Sequence, residues 1–433
     1  MKHVVIVGGG FAGLNCARKL GSKPDVRVTL IDRHNYQQFQ PLLYQVAAGF
    51  LSPSNVGFSL RNILVRHTNI EVRMDEVASA DLANCKITTV HNATYQGDYL
   101  VLAAGSQANF FGTEGAEQHS YPLYSLHDAE LLRSRILAVL EAADRDQSLI
   151  DKGALNFIIV GAGPTGTEMS GCLGDMIHHA LKKEYPHLPL NRVGIHLVDA
   201  GSVVLNGFSD KAHNYALKML EDRSVKVHLH TEVRQVTADH VVLSDGKTIP
   251  THTVVWAGGL KASSLSEKVG VPTGRGGRFN VEPDLTITGH PKVYALGDFA
   301  NHTSKGQELP QLASVAEQAG KWCARNILAD IEGKQRQPFN YFDKGIMAMI
   351  GRSAAVAEIG PKRYEMEGVM AFTAWLGVHA ALLSTMRARI EAFVEWAWDY
   401  FSDVKGDQVL DRFSEADIDW GEQETVPKAA SDS

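Results

Sequence analysis

An α/β fold made of two similar parallel-sheet units, followed by an amphipathic helical region, is predicted by three features of the chain. Two glycine-rich turns, Gly8-Gly9-Gly10-Phe11-Ala12-Gly13 and Gly161-Ala162-Gly163-Pro164-Thr165-Gly166, each sit between an apolar strand pattern and a helix pattern. Each is followed by a second apolar strand that ends in an aspartate, Asp32 and Asp199. Ala371–Phe401 is the most apolar helical stretch, and from Met386 the apolar residues Ile390, Phe393, Ala397 and Phe401 recur at three- and four-residue spacing.

Length and composition set the bounds. At 433 residues the chain exceeds one ordinary domain, and two or three are expected. A hydrophobic content of 44% allows a large core. The formal net charge of -7, with both signs scattered, argues against a nucleic-acid binder, which concentrates basic residues in a patch. The cysteines, Cys16, Cys85, Cys172 and Cys323, are far apart and form no CxxC. They are therefore expected to be buried thiols in a reducing compartment, not zinc ligands or a disulfide framework. Met1-Lys2 leads straight into a strand pattern, which predicts no cleaved leader. No apolar run reaches about 18 residues, so no transmembrane helix is expected.

In the first unit, the strand Val4–Val7 precedes the glycines and the helix pattern Leu14–Leu20 follows them. Gly8 allows the tight turn, Gly10 lets the backbone approach a pyrophosphate, and Gly13 lets helix and strand pack closely. Free N–H groups and the helix dipole then face a diphosphate. The strand Val26–Ile31 ends at Asp32, where an acid accepts hydrogen bonds from a ribose. A lone GxGxxG is a weak signal; strand, helix and acid together complete a dinucleotide (Rossmann) fingerprint. The candidate ligands here are Gly8, Gly10, Phe11, Ala12, Gly13, Asp32 and Arg33.

The second unit repeats the plan with Leu155–Val160, the second glycine turn and Gly194–Val198, ending at Asp199. Its candidates are Gly161, Gly163, Pro164, Thr165, Gly166 and Asp199. An extended helix and loop, His178–Arg192, is expected between glycines and acid. A carboxylate pairs with a ribose diol and repels a 2′-phosphate, so Asp199 favours NADH over NADPH; an aspartate that merely starts a turn is the alternative.

Two cradles imply two dinucleotides. Val293–Leu296 is an apolar strand running into Gly297-Asp298, ahead of a helix pattern Ala313–Leu328. At this place in two-dinucleotide flavoproteins the aspartate binds the ribityl chain, which puts FAD in the first unit and NADH in the second. Tyr99–Ala104 before Gly105 and Thr253–Ala257 before Gly258-Gly259 mark the crossings between units, adding Ala104 and Gly259 to the cofactor candidates. The fold class is a glutathione-reductase-like flavoprotein. The expected FAD unit is residues 1–112 and 279–338, the NADH unit 113–278, a membrane-associating region 339–420, and a disordered tail 421–433.

Three further segments are more specific. Asp32–Tyr36 running into Phe39-Gln40-Pro41-Leu42-Leu43-Tyr44-Gln45-Val46-Ala47, then Lys344-Gly345 with Ile350-Gly351-Arg352, then Trp375-Leu376-Gly377-Val378-His379, resemble the type II NADH:quinone oxidoreductases, or alternative NADH dehydrogenases. The resemblance extends to about Arg412. It implies a peripheral membrane enzyme of the cytoplasmic face without proton pumping, in which NADH reduces FAD and a quinone, menaquinone or ubiquinone, then oxidises the flavin. It adds Gln45 to the cofactor candidates and places Glu168 near nicotinamide and flavin. One departure stands out: where the family shows Ala-Gln-x-x-x-Gln beneath the flavin, this chain has Ala313-Ser314-Val315-Ala316-Glu317-Gln318. Ser314 has a shorter reach than glutamine, while Gln318 is kept. Glu168 and Gln318 are the catalytic candidates.

Alternatives stand beside these readings. Glu168 is either a carboxylate favoured by a helix N-terminus or a group facing the flavin; the second is preferred because the dipole already serves the phosphate. Gln318 is either a solvated helix residue or a quinone contact. The C-terminal stripe covers the protein's own core, a second subunit in a homodimer, or a membrane; Trp375, Trp396, Trp398 and Tyr400 would suit an interfacial belt, and Arg387 and Arg389 would meet headgroups. A disulfide reductase needs a cysteine pair beside the flavin, and Pro41–Ala48 has none. A sulfide:quinone oxidoreductase likewise needs reactive thiolates. A soluble ferredoxin-type reductase or a non-catalytic NAD sensor shares both cradles but has no use for a Trp-rich amphipathic C-terminus.

Overall fold

The structure is a computed structural model that describes residues 1–402 and 418–420; the side chains of His179, Ala180, Asp399, Tyr400, Phe401 and Ser402, and the tail 421–433, lie outside the described residues. The first sheet has six strands in the order Thr286–Ile287, His290–Ala295, Tyr99–Leu102, Lys2–Val7, Val26–Asp32 and Ile70–Met74. All neighbours run parallel except the first pair. Val4, Val5 and Ile6 are fully buried, as expected for near-continuous aliphatic strands covered on both faces. The chain leaves this sheet after Leu102, builds the second unit, and returns at His290–Ala295 to pair with Tyr99–Leu102.

The second sheet, all parallel, has the order Tyr121–Pro122, Thr253–Trp256, Asn156–Val160, Gly194–Val198 and Val225–His228. A short antiparallel pair, Ser106–Ala108 with Leu260–Ala262, ties the two crossings together. The long helix Leu126–Arg145 opens on a reciprocal cap in which Ser125 and Asp128 each satisfy the other's backbone N–H. The insertion between glycines and Asp199 is a π-helical turn, Met176–Leu181, and a loop; the Tyr185 hydroxyl anchors it by donating to Glu141 at 2.7 Å.

Backbone contacts lock the helices that carry the site. The helix Ala313–Ile331, one turn longer than its sequence pattern, crosses Phe11–Leu20 so closely that a Cβ at Gly320 would sit 2.1 Å from the Ala12 carbonyl. A three-stranded antiparallel sheet, Gly345–Gly351, Ala354–Ile359 and Tyr364–Glu367, lies against the second cradle helix, Pro164–Asp175. There a Cβ at Gly171 would lie 1.7 Å from the Ile350 carbonyl. The C-terminal stripe is two helices, Gly368–Leu382 and Met386–Ser402, broken where Leu383 turns to extended backbone. Ser384 in this break donates to Gln37 at 2.7 Å. No helix among the described residues is long and apolar enough to cross a membrane.

Candidate active site

The two glycine turns are geometric copies. Gly8 and Gly161 have φ of 99° and 100°, a left-handed region that favours glycine, and a Cβ on either would strike the backbone at Ala103 or Ala257. A Cβ on Gly13 or Gly166 would come within 1.9 or 1.8 Å of the carbonyl of Gly8 or Gly161. Gly10 and Gly163 differ: a Cβ there meets nothing within 4 Å. The first and third glycines are thus required by packing, whereas the second faces open space at a helix N-terminus, where a pyrophosphate fits. Pro164 and Thr165 are exposed at the second cradle, and Phe11 is half-buried beside the first.

Both acids fall in equivalent positions despite the longer second unit. Asp32 accepts from Gly9 N at 2.6 Å and His34 N at 2.7 Å; Asp199 accepts from Ala162 N at 2.5 Å and Gly201 N at 2.6 Å. Burial raises the Asp32 pKa above the ordinary carboxylate value, and these amides offset part of that. Arg33 is exposed and lines a cleft of about 540 Å³ between the units. Asp298 follows Gly297, whose φ of 64° makes the turn beside Ala12. Its carboxylate accepts from Ser106 Oγ at 2.9 Å, and the same hydroxyl lies 2.8 Å from the Tyr124 hydroxyl. Burial raises the Asp298 pKa and pushes that of Tyr124 up to about 12. Ala104 precedes the crossing at Gly105, and Gly259, with φ of 142°, packs against the Phe111 ring.

Glu168 lies in the second cradle helix, 7% exposed, and accepts from Met349 N at 3.1 Å. Its carboxyl is raised from 4.5 to about 8, chiefly by burial. The Met349 amide and the Trp375 indole, which lies near without an ordinary hydrogen bond, oppose that rise. Glu168 therefore holds a proton at neutral pH. The fully buried Tyr44 lies close enough for the two groups to interact, and its pKa is raised.

Comparison with known proteins decides the family. A sequence profile described as pyridine nucleotide-disulphide oxidoreductase matches residues 2–320. The type II NADH:quinone oxidoreductase Ndh of Mycobacterium tuberculosis is 35% identical over 419 residues, covering 93% of this chain and 89% of that protein. The chain belongs to the type II NADH:quinone oxidoreductase family. The Staphylococcus aureus (strain MSSA476) type II NADH:quinone oxidoreductase is 30% identical over 371 residues, covering 83% of this chain and 90% of that protein. In fold, the chain matches NDH2 from Plasmodium falciparum in complex with NADH, with a TM-score of 0.85 at 20% identity, covering 93% of this chain and 99% of that one. The sulfide:quinone oxidoreductase of Aquifex aeolicus shares the fold at a TM-score of 0.72 and 19% identity, covering 93% and 96% of the two chains.

Within this type II family member, several residues singled out from sequence have hydrogen-bond partners inside the protein. Gln45 is buried; its carbonyl accepts from the Trp396 indole N–H at 2.7 Å and its amide donates to the Tyr44 hydroxyl at 3.2 Å. The Gln318 amide both donates to and accepts from the Phe342 backbone, at 2.9 and 3.0 Å. Ser314 bonds the Tyr341 hydroxyl at 2.9 Å. One expectation is corrected: Trp375 does not belong to an interfacial belt. It is 0% exposed and stacks on His379 with ring centroids 4.1 Å apart, because its face of the helix turns inward toward Glu168. Trp396 is half-buried, leaving Trp398 exposed at 63%. His379 itself is buried, with its pKa lowered to about 4 by desolvation. No sequence signal marks the partners of Glu168, because Met349 is 181 residues away. All four cysteines are buried and free; the Cys16 and Cys323 sulfurs meet at 4.0 Å between two helices.

Proposed function

We propose that this chain oxidises NADH and passes two electrons to a membrane quinone, with FAD in the unit formed by residues 1–112 and 279–338 and NADH in residues 113–278. The observation that carries the proposal is the pair of matched cradles in one chain, each opening only at its central glycine, Gly10 and Gly163. Bound FAD supplies the chemistry that accepts a hydride and releases electrons singly or in pairs. The chain's residues supply position and electrostatics. Gly10, Asp32 and Asp298 hold FAD, with Phe11, Ala12, Arg33, Ala104 and Gly297 around it. Gly163, Asp199, Pro164 and Thr165 hold NADH, with Gly259 at the crossing. Asp199 excludes a 2′-phosphate by charge.

The overall reaction, NADH plus one proton plus quinone giving NAD and quinol, takes up a proton. Glu168, protonated at neutral pH and shielded from water, is the group suited to hold it. Gln318 stands on the quinone side. Membrane contact falls to the C-terminal helices on the cytoplasmic face. Support comes from their exposed Leu382, Met386, Ile390, Phe393 and Val394, an apolar face beyond scattered surface residues. A homodimer would use the same face. The test is anaerobic reduction of the bound flavin by NADH, followed by mixing with menaquinone and ubiquinone analogues. Flavin that NADH bleaches and neither quinone reoxidises would refute the proposal. Failure to float with liposomes would transfer the apolar face to the dimer.

A further inference from the structure

We infer that the cleft beside the break between the two C-terminal helices binds the phosphate of an anionic phospholipid headgroup. This rests on the reading that those helices lie on a membrane. The cleft, about 460 Å³, is walled by one face of Phe11–Leu20 running from Phe11 to Lys19, by Gln37, by Glu317, Lys321 and Arg325 of Ala313–Ile331, and by the segment Ala381–Ser384 with Arg389. Five cations line it: Arg18, Lys19, Lys321, Arg325 and Arg389. Its single carboxylate, Glu317, is already engaged by Lys321 and Lys344. Arg18, Lys19, Arg325 and Arg389 have no ion-pair partner among the described residues. Arg325 is held over the Trp322 ring, 5.7 Å from its centroid, and Arg389 donates Nε–H to the Leu383 carbonyl at 3.0 Å.

This concentration runs against the chain's formal charge of -7. The end of helix Phe11–Leu20 accounts for Arg18 and Lys19 through its dipole. It does not account for Arg325 and Arg389, which reach the same cleft from two other elements. A neutral quinone gives these cations nothing to neutralise. A phosphodiester does, and its acyl chains have a place to go: Leu382 lines the cleft at 44% exposed, and Met386 and Ile390 follow on the next helix at 70% and 59%. A cationic recess opening onto an apolar face is the arrangement an anionic lipid fits.

The test uses the full-length holoenzyme and vesicles of phosphatidylcholine alone or with phosphatidylglycerol. Wild type is expected to prefer the phosphatidylglycerol vesicles. The triple variant Arg18→Gln, Lys19→Gln, Arg325→Gln is expected to lose that preference by on the order of 100-fold, or about 1 kcal/mol for each cation. It should keep its flavin content, its binding to pure phosphatidylcholine and its turnover with a soluble quinone. Neutralising Lys86, Arg234 and Lys247, cations outside the cleft, should leave the preference intact. A wild type that binds phosphatidylcholine well without any preference overturns the inference while the membrane reading stands. A triple variant that keeps the preference also overturns it. Loss of binding to both vesicle types by wild type overturns the membrane reading itself.

Discussion

Replacing Glu168 by glutamine gives a pH-dependent signature whose size follows from the structure. The folded chain holds this carboxyl at about 8 against an ordinary 4.5, because burial disfavours its charge. Through linkage the separation is worth about 5 kcal/mol as an upper bound. The sign is fixed. Below pH 4.5 folded and unfolded chains are both protonated and this stability is fully present. As pH rises toward 8, the unfolded chain releases the proton while the folded chain retains it, so stability falls. Above 8 the folded protein carries a buried charge and the loss is complete. Glutamine keeps an oxygen to accept from the Met349 amide and cannot ionise. The variant should therefore match wild type near pH 5 and exceed it in urea midpoint at pH 9. Unfolding followed by flavin release across that range reads the effect. Parallel stability curves for the two proteins would refute the burial argument. In turnover, the variant should be slower at normal FAD content; unchanged kinetics would remove Glu168 from the reaction.

The glycines divide into two classes. Gly10→Ala should fold but come out without flavin, and Gly163→Ala should keep flavin while its KM for NADH rises, because each added methyl enters the open cradle. Gly13→Ala and Gly166→Ala should lose folded protein, as judged by circular dichroism, because the methyl meets a backbone carbonyl. Gly171→Ala would drive the C-terminal sheet off the second cradle helix, with an expected loss of more than about 3 kcal/mol in urea unfolding. Trp396→Phe removes one hydrogen bond to buried Gln45 and should cost about 1–3 kcal/mol, read as a lower melting temperature with normal cofactor content.

What the sequence made legible was local. The GxGxxG spacing requires only a strand, a turn and a helix, so Gly8 to Gly13 and Gly161 to Gly166 could be placed from neighbours in the chain. Asp199 was placed correctly at a strand end because the intervening π-helical insertion leaves the strand pattern intact. The long-range contacts were not legible. Trp375 has the chemistry of a membrane-belt residue, and only the tertiary fold buries it, against neighbours that include Trp396 of the next helix. The Trp396 bond to Gln45 spans 351 residues, and no periodicity encodes such a pairing. The break after Leu382 was hidden because Leu383, Ser384 and Thr385 carry neither glycine nor proline.

The return of the chain to its first sheet has a consequence during synthesis. Tyr99–Leu102 gains its outer neighbour only when His290–Ala295 has been made. Until then the half-built sheet presents a bare row of amides and carbonyls to the surroundings of the ribosome. The intervening unit can close on itself meanwhile, since all of its parallel strands lie between Tyr121 and Trp256. With Asp298 holding the flavin as proposed, flavin capture comes late in the birth of the molecule.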